Sequence, residues 1–472
     1  MRDAVAATGL RFKELGEEKA VMRGCVSVLK RLQRGGRLSR RERLCEAAAR
    51  VGHLEELTVL RADGWPWDRD TCSAAALVRH LEVLQWLRTH NCPWDEVTCR
   101  AAARGGHLEV LQWARANGRR WDVNTYSSAA AGGHLEVLQW AHANDAPWNE
   151  ITCGKAAQGG HLEVLQWARA NDCPWYIRTC EAAAEGGHLE VLKWLRTNNC
   201  PWDKRRCEAA AQGGHLEVLQ WAHANGCPWD EKALLYAVHF GHKNVVRALI
   251  EAGANVNMVS LGETPLYIAA QNGRDVMVWL LIEAGADVNK AINNGQTPLF
   301  MAARNGCETI VQALIEADAD INQASDIGKT LLYFAAQNGH EVVVRALIGE
   351  GADVNLARDD DETTLHNAAE GGYEAIVRVL IEAGAHVNKA TDDGWTPLRI
   401  AAHQGHEAIV RALIEAGADI NQADDDGATP LYIATEKGHE AVVRALIEAD
   451  ADVNKANDDD ETPLFTAAEE GQ

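Results

Sequence analysis

Two strict periods divide this sequence and limit what it can fold into. A histidine recurs with a 27-residue period in the first half, at His53, His80, His107, His134, His161, His188, His215 and His242. A threonine recurs with a 33-residue period in the second half, at Thr264, Thr297, Thr330, Thr363, Thr396, Thr429 and Thr462. Such periods indicate supersecondary units that bury their apolar faces by stacking on their neighbours. The 472 residues therefore predict one array of repeats instead of the roughly three globular domains that this length allows.

One 33-residue unit shows how each repeat of the second half is built. Thr396-Pro397 predicts a helix start, because threonine accepts free backbone N–H groups and proline fits the first helical position. Ala401-Ala402 allows helices to approach closely, and an apolar stripe over 409–414 predicts a second helix. Gly417 suits the left-handed residue that ends this helix. The polar stretch 419–428 then predicts a β-turn finger.

This unit resembles the ankyrin repeat, whose pattern joins T-P-L-H, A-A, G-H and G-A-D-V-N around two helices. Six full units and a partial seventh carry the pattern. The 27-residue unit is similar to a shortened ankyrin repeat, with one residue fewer in the first helix and five fewer in the finger. The resemblance implies an all-α, ankyrin-type helical solenoid, with β-turn fingers in the C-terminal half.

The periods also predict the order of segments along the chain. Residues 1–44 do not repeat and carry 12 basic against 5 acidic residues, so we expect a basic N-terminal cap or extension. Seven 27-residue repeats follow over 45–233, and a transition repeat covers 234–263. Six 33-residue repeats and a partial terminal repeat occupy 264–472.

Residue patterns that carry catalysis or bind metal ions do not occur in this sequence. Gly328-Lys329-Thr330 matches the last three positions of a phosphate-binding loop motif, but Gln323 occupies the position where that motif requires its first glycine. Neither C-x-x-C pairs nor the paired histidines of a zinc site are found. We therefore expect a non-catalytic chain without a cofactor or a metal ion.

The repeated cysteines, tryptophans and histidines are interpreted as packing residues. Ten of the twelve cysteines fall in two registers, one in helix one and one in the loop before Pro-Trp. Tyr126, Arg119 and Ala146 interrupt these registers without compensation, so disulfides are disfavoured and buried, reduced thiols are expected. Thirteen of the sixteen tryptophans also recur at two positions, which is typical of packing, whereas exposed loop tryptophans would favour a ligand-stacking ladder. One histidine per unit likewise favours a structural role.

Positions that vary between otherwise similar repeats point to a contact surface. In ankyrin proteins the finger tips and first helices line the concave partner-binding face. The resemblance therefore suggests these candidates: Ile268, Gln296, Met301, Lys329, Phe334, Glu362, Asn367, Trp395, Arg399, Ile400, Asp424, Asp425 and Asp426. Apolar residues such as Met301, Phe334 and Trp395 would be unusual on a surface that binds no partner. Drift at unconstrained positions is the alternative.

The net charge changes along the chain and bears on the kind of partner. Residues 241–472 contain 15 basic and 39 acidic residues, a net charge of −24, and acidic triplets such as 424–426 lie in the fingers. A basic protein surface fits this acidic edge, with solvation of a long solenoid as the alternative. Binding to nucleic acid is disfavoured, and the sequence contains no apolar run that could span a membrane.

The ankyrin resemblance implies a scaffold or adaptor that binds a protein partner on the concave helix-one and finger surface. We expect it to be monomeric and cytoplasmic, with the nucleus as an alternative location. Two other functions stay open. Asparaginyl hydroxylases modify ankyrin fingers, and the matching positions here are Asn289, Asn322, Asn355, Asn388, Asn421 and Asn454. The chain would then be an enzyme substrate. The remaining alternative is a structural spacer without a specific partner.

Overall fold

The computed structural model describes residues 26–34, 43–119, 122–200, 205–227, 231–323, 328–358 and 360–469. Within these ranges the chain forms helices joined by turns, and its β-bridges are the isolated pairs Ser260–Glu263 and Ala357–Thr363. Most of the predicted basic cap, 1–44, lies outside the described residues. The chain forms two compact units, Met1–Ala233 and Leu234–Gln472.

After a first helix, the helices of the N-terminal unit alternate between helix one and helix two of successive repeats. They are α1 Val26–Arg34, α2 Arg43–Arg50, α3 Leu54–Ala62, α4 Arg69–Leu77, α5 Leu81–Thr89, α6 Glu96–Arg104, α7 Leu108–Ala116, α8 Val123–Ala131, α9 Leu135–Ala143, α10 Glu150–Gln158, α11 Leu162–Ala170, α12 Ile177–Glu185, α13 Leu189–Thr197, α14 Arg205–Gly213 and α15 Leu216–Ala224.

The C-terminal unit continues the same alternation. After its first helix, its helix-one segments have seven or eight residues, against eight or nine in the N-terminal unit, which corrects the expectation that helix one is shorter in the 27-residue repeat. Its helices are α16 Glu231–Phe240, which begins just before the boundary, α17 Lys243–Glu251, α18 Pro265–Gln271, α19 Asp275–Glu283, α20 Pro298–Arg304, α21 Glu308–Glu316, α22 Leu331–Gln337, α23 Glu341–Gly349, α24 Thr364–Glu370, α25 Glu374–Glu382, α26 Pro397–Gln404, α27 Glu407–Glu415, α28 Pro430–Glu436, α29 Glu440–Glu448 and α30 Pro463–Glu469.

Side-chain caps fix where the first helices begin. Asp122 Oδ1 accepts the Thr125 backbone N–H at 3.0 Å, and Thr125 Oγ1 accepts the Asp122 N–H at 3.4 Å, which forms a reciprocal capping box. In the C-terminal unit Thr396 Oγ1 accepts the Arg399 N–H at 3.2 Å, and Pro397 is the first residue of α26. The predicted Thr-Pro helix start is confirmed.

Small and branched side chains close the interior of each unit. Ala74, Ala75 and Ala76 on α4 are at most 2% exposed, and their small size lets neighbouring first helices pack closely. Leu84 and Leu87 on α5 are fully buried behind them. Adjacent helix pairs therefore cover each other's apolar faces, whereas Leu464 and Phe465 on α30 are exposed. The predicted all-α repeat solenoid is confirmed within both units.

The fingers of the C-terminal unit are ordered by turns and by asparagine bridges. The Asp424 N–H donates to the Ala428 carbonyl at 3.1 Å, and the Gly427 N–H donates to the Asp424 carbonyl at 3.0 Å. Asn388 Oδ1 accepts the Asp419 N–H of the next finger at 2.7 Å. Equivalent bonds to the following finger are made by Asn289, Asn322, Asn355 and Asn421. The predicted fingers are present, and their asparagines have a structural role.

Candidate partner-binding surface

The repeated histidines hold neighbouring repeats together. His161 Nε2 donates to the Ala131 carbonyl at 3.1 Å, at the end of the preceding helix one. The same bond recurs at His107, His134, His188, His215, His340, His406 and His439. Gly133, whose φ is +75°, leaves the space that the His161 ring occupies. These imidazoles therefore have the structural role that one histidine per unit predicts.

The tryptophans of the 27-residue repeats pack in pairs. A loop tryptophan contacts the tryptophan of the helix two that follows it, with ring centroids 5.4–5.8 Å apart in Trp67–Trp86, Trp94–Trp113, Trp148–Trp167 and Trp175–Trp194. Arg61, Arg88 and Arg169 lie over the rings of Trp67, Trp94 and Trp175. These half-buried and buried rings serve packing, as the sequence predicted.

The two cysteine registers form one structural pair, which corrects the sequence interpretation. Cys153 in α10 faces Cys173 in the loop that leads to the next repeat. In the preceding repeat the same two positions hold Tyr126 and Ala146, so a large and a small residue replace two medium ones together. That replacement is compensated, whereas Arg119, which occupies the loop position matched to Cys99, is not.

Much of the variation at the finger tips follows from contacts between repeats. The Tyr267 hydroxyl donates to Gln296 Oε1 at 3.3 Å, and the Tyr432 hydroxyl donates to Glu461 Oε2 at 2.8 Å, each partner lying 29 residues later. Where the first residue is His366, its Nε2 donates to the Trp395 carbonyl at 3.0 Å. Where the earlier position holds tyrosine, the residue 29 positions later is glutamine or glutamate and its side chain accepts the hydroxyl bond, a signal that the sequence reasoning missed.

Burial separates the thirteen sequence-predicted contact residues into three groups. Six are buried within the chain: Ile268, Met301, Asn367, Arg399, Ile400 and Asp424. Five are half-buried: Gln296, Lys329, Phe334, Glu362 and Trp395. Two are exposed: Asp425 and Asp426. The last two groups are accessible, whereas a partner could reach Asn367, Arg399 or Asp424 only after local rearrangement.

Arg399 and Asp424 form an interior ion pair, which corrects their assignment as surface residues. Their side chains are 5% and 1% exposed. The Arg399 guanidinium also lies 3.7 Å from the centroid of the Trp395 ring, and burial lowers the pKa of Arg399. Asp424 Oδ1 accepts the N–H groups of Asp426 at 3.1 Å and Ala428 at 2.8 Å. The pair joins α26, the helix one of its repeat, to the finger of the next repeat. His366 makes the equivalent connection one repeat earlier.

An open cavity of about 400 Å³ lies between the fingers and first helices beside Trp395. Its lining residues are Asp360, Glu362, Glu370, Thr391, Asp392, Asp393, Trp395, Ile400, His403 and Gln404. Three of them, Glu362, Trp395 and Ile400, are residues that the sequence predicted. The variable positions of two neighbouring repeats therefore meet at one concave place, which we call the Trp395 cavity.

Carboxylates dominate the electrostatics of the Trp395 cavity. Arg358 pairs with Asp360 at 3.2 Å and with Glu362, so these two carboxylates share one cation and keep one net negative charge. Among the described residues no ion pair involves Glu370, Asp392 or Asp393. The His403 ring lies 5.8 Å from the Trp395 ring, and burial together with nearby Lys437 and Arg399 lowers the pKa of His403. At neutral pH the cavity therefore presents a neutral imidazole, an indole and the three carboxylates that lie outside these pairs.

The described part of the chain contains no group of three or more His, Cys, Asp or Glu residues placed to hold a metal ion. A helix long and apolar enough to cross a membrane is likewise not found among the residues that the structure describes.

Comparison with known protein families agrees with the fold. The family model described as ankyrin repeats (3 copies) matches residues 207–292, 289–358, 332–424 and 417–472. A second family model, described as ankyrin repeats (many copies), matches residues 126–169. No curated protein matches the chain. Stacked helix pairs with capped first helices define a helical repeat protein. More specifically, this chain belongs to the ankyrin repeat family. Ankyrin repeats are generally non-catalytic modules of protein–protein interaction.

Proposed function

We propose that this chain is a non-catalytic scaffold or adaptor that binds a protein partner through a basic side chain placed in the Trp395 cavity. The observation that carries the proposal is the lining of that cavity, which combines carboxylates with an indole and includes no lysine or arginine among the described residues. An ammonium or guanidinium group would be attracted by Asp392 and Asp393, while its aliphatic stem packs on Trp395 and Ile400.

The neighbouring candidate residues extend this surface along the C-terminal unit. Half-buried Phe334 packs against the Phe300 ring, with centroids 4.5 Å apart, and Lys329 lies over the Tyr333 ring at 4.7 Å. Exposed Asp425 and Asp426 add negative charge at the next finger. Because these groups are already positioned by contacts within the chain, partner binding would require little additional ordering.

The experiment compares two charge-reversal variants of the full chain. Asp392→Lys/Asp393→Lys reverses two charges in the Trp395 cavity, and Glu283→Lys/Glu382→Lys makes the same change in net charge at exposed helix-two positions without ion pairs among the described residues. Each protein is used for proximity labelling in cells, followed by mass spectrometry. Circular dichroism of the purified variants checks that both are folded.

The cavity variant is expected to lose basic partners that the wild type and the helix-two variant retain. Fluorescence anisotropy with a labelled lysine- and arginine-containing peptide from a recovered partner is expected to show at least tenfold weaker binding to the cavity variant. Equal recovery and equal affinity for the two variants would contradict the proposal and favour a spacer or a different surface.

The alternative function, a substrate of an asparaginyl hydroxylase, rests on the position and exposure of the finger asparagines. Asn289, Asn322, Asn388 and Asn454 are exposed. Intact-mass measurement of the protein purified from its native source would show added oxygen, and peptide mapping would place it. We further propose that the chain is monomeric and cytoplasmic or nuclear, which size-exclusion chromatography with light scattering and imaging of the tagged chain would test.

A further inference from the structure

An open groove of about 450 Å³ lies between α29 and α30, the last two described helices of the C-terminal unit. Its lining residues include Val443, Arg444 and Ile447 on α29, with Thr435 on α28 and Ala467 on α30. Apolar side chains extend this surface along α30, where Leu464 and Phe465 are 76% and 54% exposed. We call this surface the α29–α30 groove. It shares no lining residue with the Trp395 cavity.

The equivalent residues one repeat earlier are buried. Leu431 on α28 is 2% exposed, against 76% for Leu464 on α30. Val410 on α27 is fully buried, whereas Val443 on α29 is half-buried. In that earlier repeat α29, a helix two, packs on both α27 and α28. The α29–α30 groove is therefore the kind of surface that a helix two covers inside the array, and no helix two follows α30 among the described residues.

Ion pairs between successive helix-two segments specify a charge that the groove would accept. Arg411 Nη1 donates to Glu448 Oε2 at 3.0 Å, and the residues are 37 positions apart. One repeat earlier, Arg378 Nη1 lies 3.6 Å from Glu415 Oε2 at the same spacing. Arg444 holds the equivalent position on α29, is exposed and makes no ion pair within the described ranges. A helix that covers the groove would therefore place a carboxylate beside Arg444.

We propose that the α29–α30 groove binds an amphipathic helix of a partner protein, with the apolar pattern of helix two and a glutamate that pairs with Arg444. A second copy of this chain is a poor source of that helix, because its helix-two segments pack their apolar faces inside their own array. On α29 these residues, Val442, Ala445 and Leu446, are at most 2% exposed. Apolar burial supplies the affinity, and the ion pair fixes the register of the bound helix. This site is independent of the proposed function.

The probe is a fluorescent synthetic peptide with the sequence of residues 438–450, which contains α29. Because free peptides of this length are only marginally helical, a lactam bridge joins its Glu440 to a lysine introduced by Arg444→Lys. Both positions are exposed on α29 and would face away from the groove in the bound peptide. Saturable binding to the full chain is expected in fluorescence anisotropy. Extending the chain after Gln472 by a copy of residues 440–450 should abolish this binding, because the tethered helix fills the groove.

Substitutions in the chain test which contacts hold the peptide. Ile447→Asp is expected to weaken binding about tenfold, whereas Val342→Asp, at an exposed apolar position of α23 outside the groove, should leave it unchanged. Arg444→Glu should weaken binding about fivefold. A peptide that carries Glu448→Arg should bind this variant as tightly as the original peptide binds the wild type, since the ion pair is restored with its signs exchanged. Circular dichroism checks that each variant is folded.

Several results would overturn the proposal: no binding of the helical peptide to the wild-type chain, equal affinities for the Ile447→Asp and Val342→Asp variants, or no recovery with exchanged charges. Light scattering that shows a dimer of the wild type, lost in Ile447→Asp, would also overturn it and assign the groove to a second copy. Binding of basic partners at the Trp395 cavity is tested by other variants, so either proposal can fail without the other.

Discussion

Replacing Asp424 by asparagine would test whether this residue is structural, as its burial indicates. The side chains of Asp424 and Arg399 are 1% and 5% exposed, so the variant leaves a buried guanidinium without its counterion. Removing one partner of a buried ion pair typically costs about 3–5 kcal/mol. Asparagine keeps an oxygen that can accept the N–H groups of Asp426 and Ala428, so we expect a loss near the lower limit, about 3 kcal/mol.

Hydrogen exchange measured by mass spectrometry over residues 391–436 is the suitable assay, because a repeat array can open locally without unfolding completely. Asp425→Asn, at the adjacent exposed position, is the matched control and should change the free energy of opening by less than about 0.5 kcal/mol. Arg399→Met combined with Asp424→Asn should recover most of the loss, since no unpaired charge remains. Equal exchange in the two asparagine variants would refute the reasoning.

Two further predictions concern the contacts between repeats. Burial lowers the pKa of His366 from 6.5 to about 4, so the unfolded chain binds the proton more tightly and folding loses stability as pH falls through this interval. The loss in the free energy of unfolding should approach about 3 kcal/mol in urea titrations, and His366→Tyr should remove this part of the pH dependence. If the stability of the variant changed with pH as steeply as that of the wild type, the prediction would be wrong. Gly133→Ala should cost more than about 2 kcal/mol, because the new Cβ would lie 2.4 Å from the His161 ring. Gly118→Ala has a similar φ but no neighbour within 4 Å and should cost about 1 kcal/mol, so equal losses would exclude a steric cause.

The features that sequence predicted correctly are those with a local physical cause. Thr396-Pro397 begins a helix because its own side chains satisfy that helix start. Gly417 adopts a φ of +86° just after Ala416, the C-cap of α27, as the end of that helix requires. Repetition then extends each local assignment to every unit, which is why the fold and the fingers could be predicted in detail.

The candidate site was predicted less completely because its residues are coupled across repeats. Variation alone could not distinguish Asp424, which neutralises a buried guanidinium, from exposed Asp425 beside it. Variation marks the residue before each threonine as a candidate partner contact, yet Gln296 and Glu461 accept bonds from tyrosines 29 residues earlier. Comparing repeats at this spacing, instead of column by column, would have revealed the pairing.

By itself the sequence determined the repeat, its helix starts and the sign of its charge, since these depend on short segments and on composition. Tertiary structure decided which variable residues are buried, which carboxylates meet at the Trp395 cavity and which thiols face each other. Those properties depend on side chains from neighbouring repeats, 20 to 36 residues apart along the chain, that come together only when the helix pairs stack. The stacking of similar repeats makes the fold predictable. The site consists of contacts between repeats, so it cannot be predicted from the sequence of a single repeat.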